Sequence, residues 1–442
     1  MLNGMFRCLK NDPRKMFFWW AVLLFGLAVA WPRVRPMQTA SGPMPQDAYL
    51  WQRDWNDHVK QSISEHASSF RQLAVLHAEV RWTEQGEPLR HVALDFDTLR
   101  QTGQEIGLCL RIGSFSGPFH EEDERTRWLV NICQSMLAEA NDHSMTVAEI
   151  QIDFDCAESK LSGYMQWIQA IRVAIAPTPL VITALPSWLD RATFRSLIEK
   201  VDSYVLQIHS VTPPKSYGQP VTLCDPEAAK RAVERAGGFG IPFRVALPTY
   251  GYLMAFDEKS RFVGLSAETL PTHWPLISTV EEVWSEPEVI VELVRTWQYQ
   301  RPECMEGLIW FRLPVVGDRM NWSWPTLAAV RDGRVPQAKW ECDLKTSERG
   351  SVEVFLKNSG QANGKPPKAV RVFWEKARLL AGDAIEGFEF QSGSHEAWFL
   401  SGSQSYGTDF RPGQEKSIGW FALDSPAKSH SEFLHEATAL DF

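Results

Sequence analysis

Between residues 48 and 331 the chain alternates, unit after unit, between short strand-like runs and longer runs with helical spacing. Strand-like runs begin at Ala48, Gln72, Ile106, Glu149, Leu180, Ser203, Phe243 and Gly307. Helical patterns over 57–67, 121–140, 161–168, 191–200, 226–236, 287–299 and 324–331 fall between and after them. A second short apolar run at 91–94 follows the second strand, and a long loop precedes the helix at Pro287. Strands separated by helices pair in parallel, because the crossover returns the chain to the same edge of the sheet. Eight such units are the number that closes on itself. The predicted fold is therefore α/β, a (β/α)8 TIM barrel over residues 47–336.

From about Gln337 the pattern changes. Residues 351–360 alternate and end in the turn Asn358-Ser359-Gly360, and 369–374 and 417–423 look similar. No long helix interrupts them, so residues 337–442 are expected to form a smaller all-β, sandwich-like module with Val352, Val354, Leu356, Val370 and Val372 facing inward.

Residues 1–46 read as a signal or membrane anchor followed by a linker. Met16–Trp31 is apolar or small throughout and follows Arg14 and Lys15, the pattern of an export signal. Ala28-Val29-Ala30 offers a cleavage site, while Trp31-Pro32 gives it poor context, so cleavage and retention in the inner membrane both stay open. In either case the body is expected outside the cytosol, periplasmic or anchored facing outward. Residues 1–36 carry six cations against Asp12; with the whole chain at −9, the remainder holds −14. An acidic body of this kind excludes nucleic acid as the expected partner. The widely spaced cysteines form no CxxC and no disulfide framework. No H-E-x-x-H, paired-His spacing, G-x-S-x-G or P-loop occurs, and neither metal nor cofactor is expected.

The chemistry concentrates in Glu149–Asp155. Ile150, Ile152 and Phe154 alternate with Gln151, Asp153 and Asp155, so one strand face is apolar and the other carries an amide and two carboxylates. Carboxylates line an inward face only when paired, solvated or used. They stand about 6–7 Å apart by strand rise. Acids at the carboxyl end of a barrel strand lie where such folds build active sites.

Taken strand by strand, the barrel resembles the chitinase-like family 18 glycoside hydrolases. Residues 107–113 resemble that family's third strand, 149–155 its DxDxE signature, 202–210 its sixth strand, Pro248-Thr249-Tyr250-Gly251 its seventh, and 307–311 its eighth. The family's first aspartate falls on Gln151, its middle one on Asp153, and its acid/base glutamate on Asp155. Its sixth-strand methionine and tyrosine fall on Gln207 and His209, and its eighth-strand tryptophan on Phe311. The chain is also similar to an uncharacterised bacterial envelope family of unknown function, which shares the Q-x-D-x-D strand and the segment Leu185-Pro186-Ser187-Trp188-Leu189. The resemblance implies substrate-assisted hydrolysis, with Asp155 as proton donor, Asp153 orienting the substrate's N-acetyl group, and Tyr250 meeting developing charge or a sugar hydroxyl.

Further candidates follow from position. Gln207 and His209 share one strand face, Glu79 ends the second strand, and Trp51, Trp188 and Trp310 lie near strand ends, where flat rings stack on sugars. Arg53, Arg111 and Arg312 lie near the ends of the first, third and eighth strands, either as ligand contacts or as partners that neutralise Asp153 and Asp155. Two readings stand: a glycoside hydrolase-like barrel acting on an envelope or extracellular polysaccharide or oligosaccharide, or a non-catalytic glycan-binding or scaffold protein. The C-terminal module resembles immunoglobulin-like or adhesion-type modules appended to secreted glycosidases, which implies an accessory role without catalytic residues.

Overall fold

The computed structural model describes residues 38–82, 89–120, 123–209, 213–267, 277, 279–347, 351–402 and 409–434. The expected export segment lies outside them. The chain divides into two units, Met1–Gln38 and Thr39–Phe442, and the architecture below belongs to the second. No helix among the described residues is long and apolar enough to cross a membrane.

Eight parallel strands form the barrel: β1 (Gln46–Leu50), β2 (Gln72–Val80), β3 (Glu105–Ile112), β4 (Val147–Phe154), β5 (Leu180–Ala184), β6 (Ser203–Gln207), β7 (Phe243–Pro248) and β8 (Met305–Phe311). Each pairs with the next in order, and β8 pairs with β1 to close the ring. At that seam Gly307 is required by space, since a Cβ there would stand 2.4 Å from the Pro45 carbonyl oxygen.

Period-two alternation divides each strand between two environments. Outward residues such as Ile150, Ile152 and Phe154 pack under the helices in one continuous core. Inward residues Tyr49, Ala74, Leu76, Cys109, Val181, Val205, Ala246 and Ile309 fill the barrel's middle layer. Below them Arg244 of β7 bonds Asp47 of β1 at 2.9 Å and Glu149 of β4 at 2.5 Å, and all three are buried. Above them the barrel opens.

Two departures from the expected pattern bear on that opening. The region expected as a long loop before Pro287 contains a three-stranded antiparallel sheet of Gly251–Phe256, Phe262–Ser266 and Thr279–Trp284. The run near His91 is a short strand, Leu89–His91, lying antiparallel on β2. Part of the expected N-terminal linker is ordered as well, with Thr39–Ala40 pairing with Arg301–Pro302.

After the last barrel helix, Trp324–Arg331, the described residues form eight further strands. They are β9 (Trp340–Thr346), β10 (Ser351–Asn358), β11 (Ala369–Trp374), β12 (Leu379–Ala384), β13 (Phe388–Ser392), β14 (Glu396–Ser401), β15 (Glu415–Leu423) and β16 (Ser429–Leu434). They form two four-stranded antiparallel sheets, in the orders β9-β10-β15-β12 and β13-β14-β11-β16. Val352, Val354, Leu356, Val370 and Val372 are all fully buried in their shared core.

Candidate active site

The carboxyl ends of the barrel strands surround a cleft of about 710 Å³. The register carries Arg111 of β3 beside Asp153 of β4, and the same alternation that buries Ile152 and Phe154 outward turns Asp153 and Asp155 into the cleft. Asp153 is buried, and its Oδ1 accepts hydrogen bonds from Thr183 Oγ1 of β5 at 2.9 Å and Gln207 Nε2 of β6 at 3.1 Å. Asp155, one turn of the pleat higher, opens to the cleft and has no hydrogen-bond partner among the described residues.

The two acids therefore differ in environment. The walls around Asp155 strip water from its charged form, and the neighbouring Asp153 charge adds to this; Arg111 opposes both. The net result raises the Asp155 pKa to about 7. A carboxyl with that affinity for its proton is a competent acid at neutral pH.

Aromatic rings form the rest of the floor. Phe311 packs edge-on against Tyr49, Trp51 and Tyr250 at centroid distances of 5.6, 5.3 and 5.5 Å, and His209 stacks on it at 5.6 Å. The Tyr250 hydroxyl lies 3.2 Å from His209 Nδ1 and 3.2 Å from the Tyr252 hydroxyl. Burial pushes the His209 imidazole down to about 4, so it is neutral at physiological pH. The Trp51 indole N–H is buried and meets no acceptor among the described residues.

Of the sequence candidates, Asp153, Asp155, Gln207, His209, Tyr250, Trp51, Arg53, Arg111 and Arg312 all line this cleft. The others lie elsewhere. Trp310 is fully buried among the outer core residues and donates its N–H to Gln46 Oε1, because it is one residue out of phase with the inward positions Ile309 and Phe311. Trp188 is likewise fully buried, with its N–H on the Cys156 carbonyl. Neither ring can stack on a sugar from there. Gln151 is buried one layer below the cleft, 3.5 Å from Cys109 Sγ. Glu79 is buried behind the wall, gripped by Arg53 through two bonds of 2.6 and 2.8 Å.

Of the three arginines in the expected alternative, Arg111 does lie beside Asp153 and its charge acts on Asp155, while the other two are engaged elsewhere. Arg53 takes Glu79, and Arg312 takes Asp318 at 2.6 Å. Among the described residues neither Asp153 nor Asp155 forms an ion pair. Residues that the sequence reading missed include Tyr49, Tyr252, Thr183, Arg81 and Arg90. Thr183 had a signal, as a hydroxyl at an inward position of an otherwise apolar strand. Tyr252 and Arg90 had none, since each belongs to a strand read as loop or bare apolar run.

Among the described residues, one group has donors that could hold a metal ion: His77, His91 and Glu139, with ligand atoms within 4.8 Å of one another. None of the three lines the cleft. Both imidazoles contact the same Glu139 oxygen, at 2.9 and 2.8 Å, and so form a hydrogen-bonded cluster.

Fold and cleft together define a class, a (β/α)8 barrel with two unequal carboxyl groups at the carboxyl ends of its strands. Residues 121–316, which include both the Gln151–Asp155 strand and the Leu185–Leu189 segment, match a domain of unknown function, DUF3142. No curated protein matches the sequence. Among solved structures the chain is similar to the spore cortex-lytic enzyme SleL of Bacillus megaterium QM B1551, at 13% identity over 67% of this chain and 75% of that one, with a TM-score of 0.45. It is also similar to a chitinase from Chromobacterium violaceum ATCC 12472, at 15% identity over 66% and 98% with a TM-score of 0.42. A third similarity is to the GH18 chitinase ChiB of Flavobacterium johnsoniae, at 13% identity over 66% and 94% with a TM-score of 0.43. These are likenesses of barrel arrangement, and the chemistry of the cleft rests on its own residues.

Proposed function

We propose that this protein is a glycoside hydrolase acting on an envelope or extracellular polysaccharide, with Asp155 as its proton donor. The observation that carries the reading is the inequality of the two aspartates, one fixed by Thr183 and Gln207 and the other unpaired with its pKa raised to about 7. In the substrate-assisted form, Asp155 gives its proton to the glycosidic oxygen as the bond to the anomeric carbon breaks. The carbonyl oxygen of the substrate's own N-acetyl group attacks that carbon, while Asp153 accepts a hydrogen bond from the acetamido N–H. Water then opens the cyclic intermediate and returns a proton to Asp155. Tyr250, backed by Tyr252 and His209, presents its hydroxyl to the sugar.

Purified protein should release reducing ends from an envelope glycan. Asp155→Asn should lower turnover by about 10²–10⁴-fold, the usual contribution of a general acid, while circular dichroism stays unchanged. Undiminished turnover in that variant would sink the assignment. The second reading, a non-catalytic glycan-binding or scaffold protein, draws on two departures: Asp155 is one methylene shorter than the family's glutamate, and Gln151 replaces its first aspartate. Glycan binding without any release of reducing ends would select it.

The same reading places the protein outside the cytosol, exported or held at the inner membrane by Met16–Trp31. Fusing residues 1–46 to alkaline phosphatase, active only after export, should give an active reporter; an inactive one would overturn this placement.

A further inference from the structure

Three elements each bring a ligand atom to one point outside the cleft. His77 belongs to β2, His91 ends the short antiparallel strand Leu89–His91, and Glu139 lies near the end of the helix Glu124–Asp142. Their ligand atoms stand within 4.8 Å of one another. Positions 77, 91 and 139 are too far apart in the chain to form a local metal-binding motif, so spacing alone does not reveal them.

The backbone is shaped for this meeting. Leu76 pairs with Cys109 of β3 and Ala78 with the very next residue, Leu110, so His77 is an extra residue, a β-bulge. A bulge interrupts regular pairing and re-aims the side chain it carries. The His77 carbonyl accepts from the backbone N–H of Val92 at 2.9 Å, and Ala78 pairs with His91, which fixes the two histidines side by side. The His77 ring is 1% exposed and packs edge-on against His91 and Phe96, at centroid distances of 4.7 and 6.3 Å. Its Nδ1 meets no partner among the described residues, so the ring is engaged through Nε2 alone. Both imidazoles turn Nε2 to a single oxygen, Glu139 Oε2. His91 and Glu139 are 48% and 32% exposed, which leaves one side of the cluster open to solvent.

We propose that His77, His91 and Glu139 form a binding site for a divalent transition-metal ion of the zinc type. The inference is independent of the chemistry proposed for the cleft. Two imidazoles and a carboxylate are a donor set that zinc takes, with water in the fourth position from the open side. Ligands at zinc distances around a tetrahedral ion stand about 3.3 Å apart. The contacts of 2.9 and 2.8 Å therefore need to open by only a few tenths of an ångström. An acceptor behind a ligating imidazole is worth about 10–100-fold in affinity, and His77 has none, so binding should be micromolar rather than nanomolar. The ion would tie the strand Leu89–His91 to β2 and to the helix, and with that strand Arg90 at the rim of the cleft.

The test uses the full chain, stripped by dialysis against a chelator and titrated with zinc chloride by calorimetry. Wild type should take up one zinc ion at this site with a Kd on the order of 1 μM. Affinity should fall at least tenfold in His91→Gln and in Glu139→Gln. Glutamine at 139 keeps an oxygen that accepts from both imidazoles and removes only the anionic ligand, so a cluster that merely clasps by hydrogen bonds would show no zinc response to lose. Saturating zinc should raise the melting temperature of wild type by a few degrees and leave both variants unmoved. One readout needs no variant: X-ray absorption of the zinc-loaded wild type should show nitrogen and oxygen neighbours at about 2.0–2.1 Å with imidazole scattering. No zinc binding by wild type, binding equally tight in both variants, or a sulfur neighbour at about 2.3 Å would overturn the site.

Discussion

Asp155 owes its character to position within a single strand face. Desolvation by the surrounding cleft walls and the charge of Asp153 raise the pKa of this cleft-facing carboxyl to about 7 from an ordinary value of 3.8. If it donates the proton, turnover on a neutral glycan should be sustained on the acid side and decline as pH rises through about 7, a limb that a pH–rate profile would show. The same group makes a statement about stability. A carboxyl whose folded pKa is raised favours the folded state when protonated, so its contribution is fully present below 3.8 and is lost as pH climbs through about 7. Asp155→Asn removes that loss. Its melting temperature should exceed wild type at pH 8, with the gap closing towards pH 4, and an equal gap at both would contradict the environment described.

At the scale of elements, the barrel is tied at its amino end by charge rather than by apolar packing alone. Arg244 links β7 to Asp47 on β1 and Glu149 on β4, and Arg71 holds Asp47 from outside at 2.7 Å. Buried pairs add little net stability when complete, since desolvation offsets attraction, yet removing one member strands an unpaired charge. Arg244→Ala leaves Glu149 buried without its cation, while Asp47 keeps Arg71. Chemical denaturation should show a loss of about 3–5 kcal/mol. A loss under 1 kcal/mol would mean that water reaches Glu149 in the folded protein. Elements also decide the shape of the cleft: the antiparallel insertion after β7 brings Tyr252, Leu265 and Ser266 to its rim, and the short strand on β2 brings Arg90.

At the scale of the whole molecule, all the described residues lining the cleft precede residue 313, so the C-terminal sheets supply none of them. They do touch the wall from behind. Arg411 donates to the Asp318 carbonyl at 3.2 Å and to the Arg319 carbonyl, and Asp318 is the partner of Arg312 in the cleft. Gln361 accepts from Thr326 of the last barrel helix at 2.5 Å. Arg411→Ala in the full chain should therefore lower melting temperature by a few degrees, equivalent to about 1 kcal/mol for lost hydrogen bonds. Turnover per folded molecule should persist. A large fall in kcat with unchanged stability would instead assign the module a part in shaping the site.

The alternation of apolar and polar residues is a local property of the chain, and what depends on it was legible in the sequence. Each barrel strand begins within two residues of its expected start, the row Gln151, Asp153, Asp155 faces inward, and the four valines and one leucine expected in the sandwich core are buried. The same rule, applied strictly, would have turned Trp310 outward. Partner choice is different in kind, because it depends on distances that close only when the barrel does. Arg53 and Glu79 are 26 positions apart, and Arg244 and Glu149 are 95. Which carboxylate an arginine takes, and so which one is left to hold a proton, was decided by the closed ring of strands. Composition made the chain acidic; only tertiary structure gathered arginines along its cleft.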